Sequence, residues 1–87
     1  MLKFTRIGAY DLWRLSCGKT PPPDERIEEM FNDVYPDGEI RIGERTEDSV
    51  VLGLPLDMDA VQRTDFEDHL RQEIAHPKTK LVRARVA

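Results

Sequence analysis

The side chains that most often carry out catalysis are few in this sequence, which contains two histidines and one cysteine. Gly18-Lys19-Thr20 resembles the end of a phosphate-binding loop. That motif needs a second glycine five residues before Gly18, where this chain has Trp13, and it should open a helix. Three prolines follow instead. We therefore interpret the tripeptide as the end of a helix or strand, and not as a phosphate site.

The histidines and the paired acids do not predict a metal site. His69 and His76 are seven residues apart, which separates them by about 10 Å along a helix axis. One metal ion cannot bind both, since its ligands lie about 2 Å away. Asp57 and Asp59 fit the start of a helix, where carboxylates accept hydrogen bonds from free backbone amides. We predict no catalytic residues, no metal and no cofactor.

Cys17 is the single cysteine, so it cannot form an internal disulfide. We expect it to be a small buried apolar residue in a reducing compartment. The amino-terminal residues lack the apolar core of a signal peptide, and the longest apolar run, 50–56, is too short to cross a membrane. These features predict a cytoplasmic protein without a membrane partner.

Charge is distributed unevenly along the chain. The net charge is −4, but residues 21–75 contain 16 acidic and five basic residues, a net charge of −11, and both ends are basic. Such a negative field speeds association with a basic partner and repels nucleic acid. The acidic residues predicted to bind a partner lie on a helix and a following loop: Glu25, Glu28, Glu29, Asp33, Glu47 and Asp48.

The basic ends suggest an alternative, which is binding of nucleic acid by the first and last strands. We expect these strands to be neighbours, with their basic side chains on the sheet face that the helices leave open. Trp13 is the candidate for stacking on a base, and it is also a plausible anchor for a homodimer. The residues of this alternative site are Lys3, Trp13, Lys80, Arg83 and Arg85.

The apolar pattern predicts one α+β domain over residues 1–87. Ile27, Met30, Phe31 and Val34 form a helical stripe over 24–34. Strands are predicted at 2–7, 39–44, 49–56 and 80–86, with the middle two in a hairpin. In the last strand, Val82, Ala84 and Val86 are expected to face inward, and Leu81, Arg83 and Arg85 outward.

Two segments leave alternatives open. Residues 9–17 fit either a strand returning from a hairpin or two helical turns, and the strand is favoured. A second helix should begin at Asp65 behind a capping box of Thr64 and Glu67, or else near Ala60. The resulting order matches a ferredoxin-like split βαβ domain, with two helices on one face of an antiparallel sheet and the first and last strands as central neighbours.

Taken together, the sequence predicts a non-enzymatic protein-binding module. It would act as an inhibitor or adaptor that docks an acidic surface on a basic, nucleic-acid-handling protein complex. Nucleic-acid binding is the first alternative, and the small subunit of an enzyme, completed by a partner chain, is the second. A homodimer through a sheet edge or the free sheet face is compatible with either.

Overall fold

A computed structural model of the chain describes residues 10–84, which form an α+β arrangement of two helices and a four-stranded antiparallel sheet. The elements in chain order are β1 (Tyr10–Ser16), α1 (Asp24–Val34), β2 (Arg41–Arg45), β3 (Ser49–Pro55), α2 (Ala60–Ile74) and β4 (Lys80–Arg83). The strand favoured for residues 9–17 is confirmed as β1. The strand predicted at 2–7 lies outside the described residues.

The sheet has the order β2-β3-β1-β4, and every pair of neighbours is antiparallel. The predicted hairpin of β2 and β3 is confirmed. β4, the predicted last strand, pairs with β1 and lies at an edge of the sheet formed by residues 10–84. The predicted first strand, 2–7, lies outside the described residues, so its pairing with the last strand stays a prediction. The central places belong to β1 and β3. β3 suits its place because three alternate residues, Val50, Leu52 and Leu54, are all buried.

Both helices supply apolar stripes to a single core on one side of the sheet. α1 contributes Ile27, Met30 and Phe31, as its periodicity predicts. α2 contributes Phe66, Leu70 and Ile74. The Phe31 and Phe66 rings meet edge to face, with their centroids 5.5 Å apart, which is a preferred geometry for aromatic pairs. Leu15 of β1 completes this core from the sheet and is fully buried.

The facing of β4 is the reverse of the prediction. Leu81 lies opposite Leu15 in the β1–β4 register and packs against the core. Val82 therefore points away from the helices and is 45% exposed. Arg83, two residues after Leu81, lies on the helix side, and Ala84 extends the ladder by donating its backbone N–H to the Leu12 carbonyl. Arg85 and Val86 lie outside the described residues.

α2 begins at Ala60, the alternative start, and the capping box predicted at Thr64 is wrong. Asp59 caps the helix instead: its carboxylate accepts from the Gln62 backbone N–H at 2.8 Å, and the Gln62 side chain accepts from the Asp59 N–H at 3.0 Å. Glu67, the second member of the predicted box, has a different role. Its carboxylate accepts from the Leu81 backbone N–H at 3.0 Å and so connects α2 to β4.

Candidate functional site: two oppositely charged surfaces

The predicted acidic surface is found mainly on the outer side of α1. Because Ile27, Met30 and Phe31 turn inward, the intervening positions must face solvent. The outward, exposed carboxylates are those of Glu25, Glu28, Glu29 and Asp33, which we call the α1 acidic face. α1 as a whole contains five carboxylates and one arginine. The structure therefore brings four of the six predicted partner-binding residues together on one helix.

Arginines neutralise part of this negative charge. Arg26 donates to Glu29 at 2.8 Å and to Glu73 of α2 at 2.9 Å. The hydrogen bond from Arg26 lowers the pKa of Glu73, and the two carboxylates raise the pKa of Arg26. Among residues 10–84, Glu25, Glu28 and Asp33 have no ion-pair partner. The α1 acidic face thus keeps three uncompensated carboxylates.

The other two predicted residues, Glu47 and Asp48, lie in the tight loop between β2 and β3. The Thr46 hydroxyl oxygen holds this loop by accepting from the Ser49 backbone N–H at 3.1 Å. A register shift in the β2–β3 ladder precedes the loop. The Arg45 side chain bonds Asp24 and the Pro21 carbonyl oxygen, so the loop is anchored beside the first turn of α1. The guanidinium of Arg45 therefore lies between the two acids of the loop and the α1 acidic face.

The residues of the nucleic-acid alternative do not share one face. Lys80 points away from the helices, whereas Trp13 and Arg83 lie opposite each other on the helix side. The Trp13 ring has the guanidinium of Arg63 4.9 Å from its centroid and that of Arg83 at 5.0 Å. Arg83 also pairs with Asp11 at 3.3 Å. Trp13 is therefore unavailable as a base-stacking residue on the open face, and Lys3 and Arg85 lie outside the described residues.

Two of the cations that occupy the open face, Arg14 and Arg41, are not among the residues predicted from sequence, whereas the third, Lys80, is. β1 alternates, so Tyr10, Leu12 and Arg14 point away from the helices while Trp13 and Leu15 point toward them. The same alternation places Arg41 of β2 and Lys80 of β4 on this side. We call the following group the open sheet face: Tyr10, Leu12, Arg14, Ser16, Arg41, Val51, Lys80 and Val82. Period two within residues 10–16 was the signal that could have identified Arg14.

The open sheet face has three cations at regularly paired positions, Arg14, Arg41 and Lys80. Of the two acids in the described strands, Asp11 is on the helix side, and Glu44 lies with Gly43 opposite Val51, at the register shift of β2. Leu12 and Val82 are exposed by 39% and 45%. The Arg41 guanidinium lies 5.2 Å from the centroid of the Tyr10 ring, a cation–π contact. This surface is therefore both basic and partly apolar.

A shallow cavity of about 390 Å³ adjoins the open sheet face where β4 begins. Arg71, Lys78 and Lys80 line it, together with Asp48 and Gly18. Gly18 has a φ of +74°, and an added Cβ would meet the His76 ring at 2.4 Å. Glycine is required here for a turn after β1, which is the structural role predicted for Gly18-Lys19-Thr20.

Cys17 is fully buried beside this turn. Burial raises the pKa of its thiol, the Asp48 carboxylate raises it further, and Arg45 opposes them. The thiol is therefore protonated at neutral pH and packs as an apolar group. Within residues 10–84, no three side chains of histidine, cysteine, aspartate or glutamate lie together in a way that could hold a metal ion.

The chain matches no protein-family model, no curated protein and no solved structure with which it was compared. Neither described helix has the length and apolar character needed to cross a membrane. The described residues form two surfaces of opposite charge: the α1 acidic face on the helix layer, and the open sheet face on the opposite side.

Proposed function

We propose that the protein is a non-enzymatic protein-binding module whose α1 acidic face docks on a basic surface of another protein. The supporting observation is that three exposed carboxylates of this face, Glu25, Glu28 and Asp33, have no cationic partner in the described part of the chain. An inhibitor or adaptor of a nucleic-acid-handling complex fits this role, because such complexes expose basic surfaces that bind phosphate.

The electrostatic effect of this face should appear mainly in the rate of association. The net charge of α1 is −4, from five carboxylates and Arg26. Clustered charge of one sign steers an oppositely charged partner and raises its association rate by about 10-fold to 1,000-fold at low salt. The Glu29 carboxylate contributes less than Glu25 or Glu28, because Arg26 already pairs with it. Binding should therefore be fast and strongly sensitive to salt.

We also propose that the scaffold is a ferredoxin-like split βαβ fold. The strand order supports this assignment. β1, α1 and β2 form one unit whose two strands flank β3, and β3, α2 and β4 form a second unit whose strands flank β1. Two interleaved units of this kind place both helices on one face of an antiparallel sheet. The other face is then left for a second ligand.

The test compares two double charge reversals that change net charge equally. Glu25→Lys with Glu28→Lys alters the α1 acidic face, and Asp37→Lys with Glu39→Lys alters exposed acids between α1 and β2. Each variant is used as bait for affinity capture from the native host at low and moderate salt, and the association rate of each captured protein is then measured. The α1 variant should lose a basic partner that the control retains, with a rate about 10-fold lower or more.

Two results would contradict this proposal. One is an unchanged association rate for the α1 variant at low salt. The other is an equal loss of binding in both variants, which would mean that net charge matters and the position of the charge does not. The pair Glu28 and Glu29 is a weaker choice for reversal, because changing Glu29 also frees Arg26 from one of its two carboxylates.

A further inference from the structure

We propose that the open sheet face binds single-stranded nucleic acid, at a site separate from the α1 acidic face. Arg14, Arg41 and Lys80 would contact the phosphates. Leu12, Val82 and the Tyr10 ring would contact the faces of the bases. This inference does not depend on the proposed protein partner, because it concerns the opposite side of the sheet.

The strand register arranges the three cations along a diagonal. Arg41 of β2 lies opposite Gly53, which lies opposite Leu12 of β1. Arg14 is two residues farther along β1, and Lys80 of β4 is one strand over and two residues farther again, opposite Ser16. With strands about 4.8 Å apart and a rise of about 3.4 Å per residue, the backbone positions of Arg14 and Lys80 are about 8 Å apart. One extended polyanion can therefore contact all three.

The cavity beside β4 continues this line beyond the sheet. Lys80 belongs to both surfaces, and the cavity also contains Lys78 and Arg71. Asp48 is an opposing charge in this cavity, and Arg71 is paired with Glu67 at 3.2 Å. Lys78 is therefore the residue that extends the positive line with least compensation. A strand that leaves the sheet at Lys80 would meet Lys78 next.

The acidic helices do not cancel the attraction of this face. They lie on the other side of the sheet, and a sheet and the layer packed on it are separated by about 10 Å. That distance is comparable to the Debye length of about 8 Å at physiological salt, so the helix carboxylates act weakly across it. Their field instead repels a polyanion from the helix side. The position of the carboxylates in the helix layer therefore favours binding of a polyanion on the sheet side.

The side chains around the diagonal fit unpaired bases better than they fit a second protein sheet. Bases stack on aromatic rings, and Tyr10 brings such a ring to this face, beside the guanidinium of Arg41. Leu12 and Val82 add exposed aliphatic surface. Two copies could not easily join face to face, since each would bring the same three cations. Contacts to phosphates and to the faces of bases carry no sequence information, so binding should tolerate different sequences.

The experiment measures fluorescence anisotropy of a labelled oligothymidylate of about 20 nucleotides, titrated with the full chain at several salt concentrations from about 50 mM. For single strands, log K falls by about 0.7 per phosphate contact for each log unit of salt, which predicts a slope of about −2 for three contacts. Arg14→Ala, Arg41→Ala and Lys80→Ala should each reduce the slope by about 0.7. Each should also weaken binding about eightfold at 50 mM, from the same relation.

Two controls remove the same charge elsewhere. Lys19→Ala changes an exposed lysine in the turn after β1, and Arg83→Ala changes an arginine on the helix side of the same sheet. Neither control should change the salt slope by more than a small fraction of the value of about 0.7 expected for one phosphate contact. Circular dichroism confirms that each variant is folded before it is titrated. A duplex of equal length should bind more weakly, because its bases cannot reach Leu12 or Tyr10.

Four results would overturn the proposal. The first is no binding at about 50 mM salt, where phosphate contacts are strong. The second is an equal loss of affinity in the controls, which would show only long-range attraction. The third is tighter binding of the duplex. The fourth is equal or tighter binding of poly-L-glutamate, which would assign the open sheet face to an acidic protein segment. Loss of affinity confined to the three sheet variants supports it.

Discussion

The helix layer and the open sheet face differ in both the sign and the pairing of their charges. α1 and α2 together contain nine carboxylates and three arginines, and two of those arginines form ion pairs with carboxylates inside the layer. The open sheet face has three cations and no ion pair among the described residues. The modest net charge of −4 therefore conceals two surfaces suited to different ligands.

The difference also shows how a strand separates charges. Arg14 and Arg83 both come from the basic ends of the chain, yet they lie on opposite sides of the sheet. Arg83 lies on the helix side because its alternation along the paired strands matches that of Leu15. Arg14 lies on the open sheet face because its alternation matches that of Leu12. Position along the chain predicts the sign of the charge that a region carries. Only strand register predicts which surface receives the charge.

The largest expected effect separates the two sides of β1. Leu15→Ala should lower the free energy of unfolding by about 2–5 kcal/mol, because Leu15 is fully buried and its removal leaves a cavity. Leu12→Ala should cost less than about 1 kcal/mol, since Leu12 is 39% exposed. Urea unfolding followed by circular dichroism measures both. Equal losses of unfolding free energy would mean that Leu12 is as buried as Leu15. The open sheet face would then not be exposed to solvent.

Periodicity predicted the parts of the fold that have a single apolar face. α1 was predicted with its observed bounds, because its four apolar residues form one stripe and Tyr35-Pro36-Asp37-Gly38 cannot continue a helix. β3 was predicted within one residue for a similar reason. The predicted orientation of β4 is wrong because the residues on each of its two sides include an aliphatic side chain, Leu81 on one and Val82 on the other. Only pairing with β1 reveals that Leu81, and not Val82, meets the core.

The candidate sites were predictable only in part. The acids of α1 were identified because a helix turns every residue outside its apolar stripe to solvent. The cations of the open sheet face depend on contacts between residues far apart in sequence, such as Arg41 with Gly53 and Gly53 with Leu12. Trp13 was assigned to the wrong surface because its cationic neighbours, Arg63 and Arg83, come from α2 and β4.

A smaller effect tests the helix layer at the start of α2. Asp59→Ala should cost about 1 kcal/mol of stability, since Asp59 closes a capping box with Gln62. Thr64→Ala is the matched control, because Thr64 is the cap that sequence alone predicted and it lies one turn inside the helix. Thermal unfolding of both variants under the same conditions makes the measurement. A larger loss for Thr64→Ala would place the start of α2 at residue 65.

The smallest effect concerns the ion pair that joins the two helices. Arg26 holds the pKa of Glu73 below its usual value of 4.5, so the folded state favours the ionised carboxylate. This contribution is present above pH 4.5 and disappears as the pH falls through the lower pKa of the folded state. Glu73→Gln should therefore lower the midpoint of thermal unfolding slightly at pH 7, and the difference from the natural chain should vanish in acid. A difference that persists unchanged at low pH would show that the amide side chain disturbs packing between α1 and α2. The negative charge of the helix layer would then be tolerated without the help of Arg26.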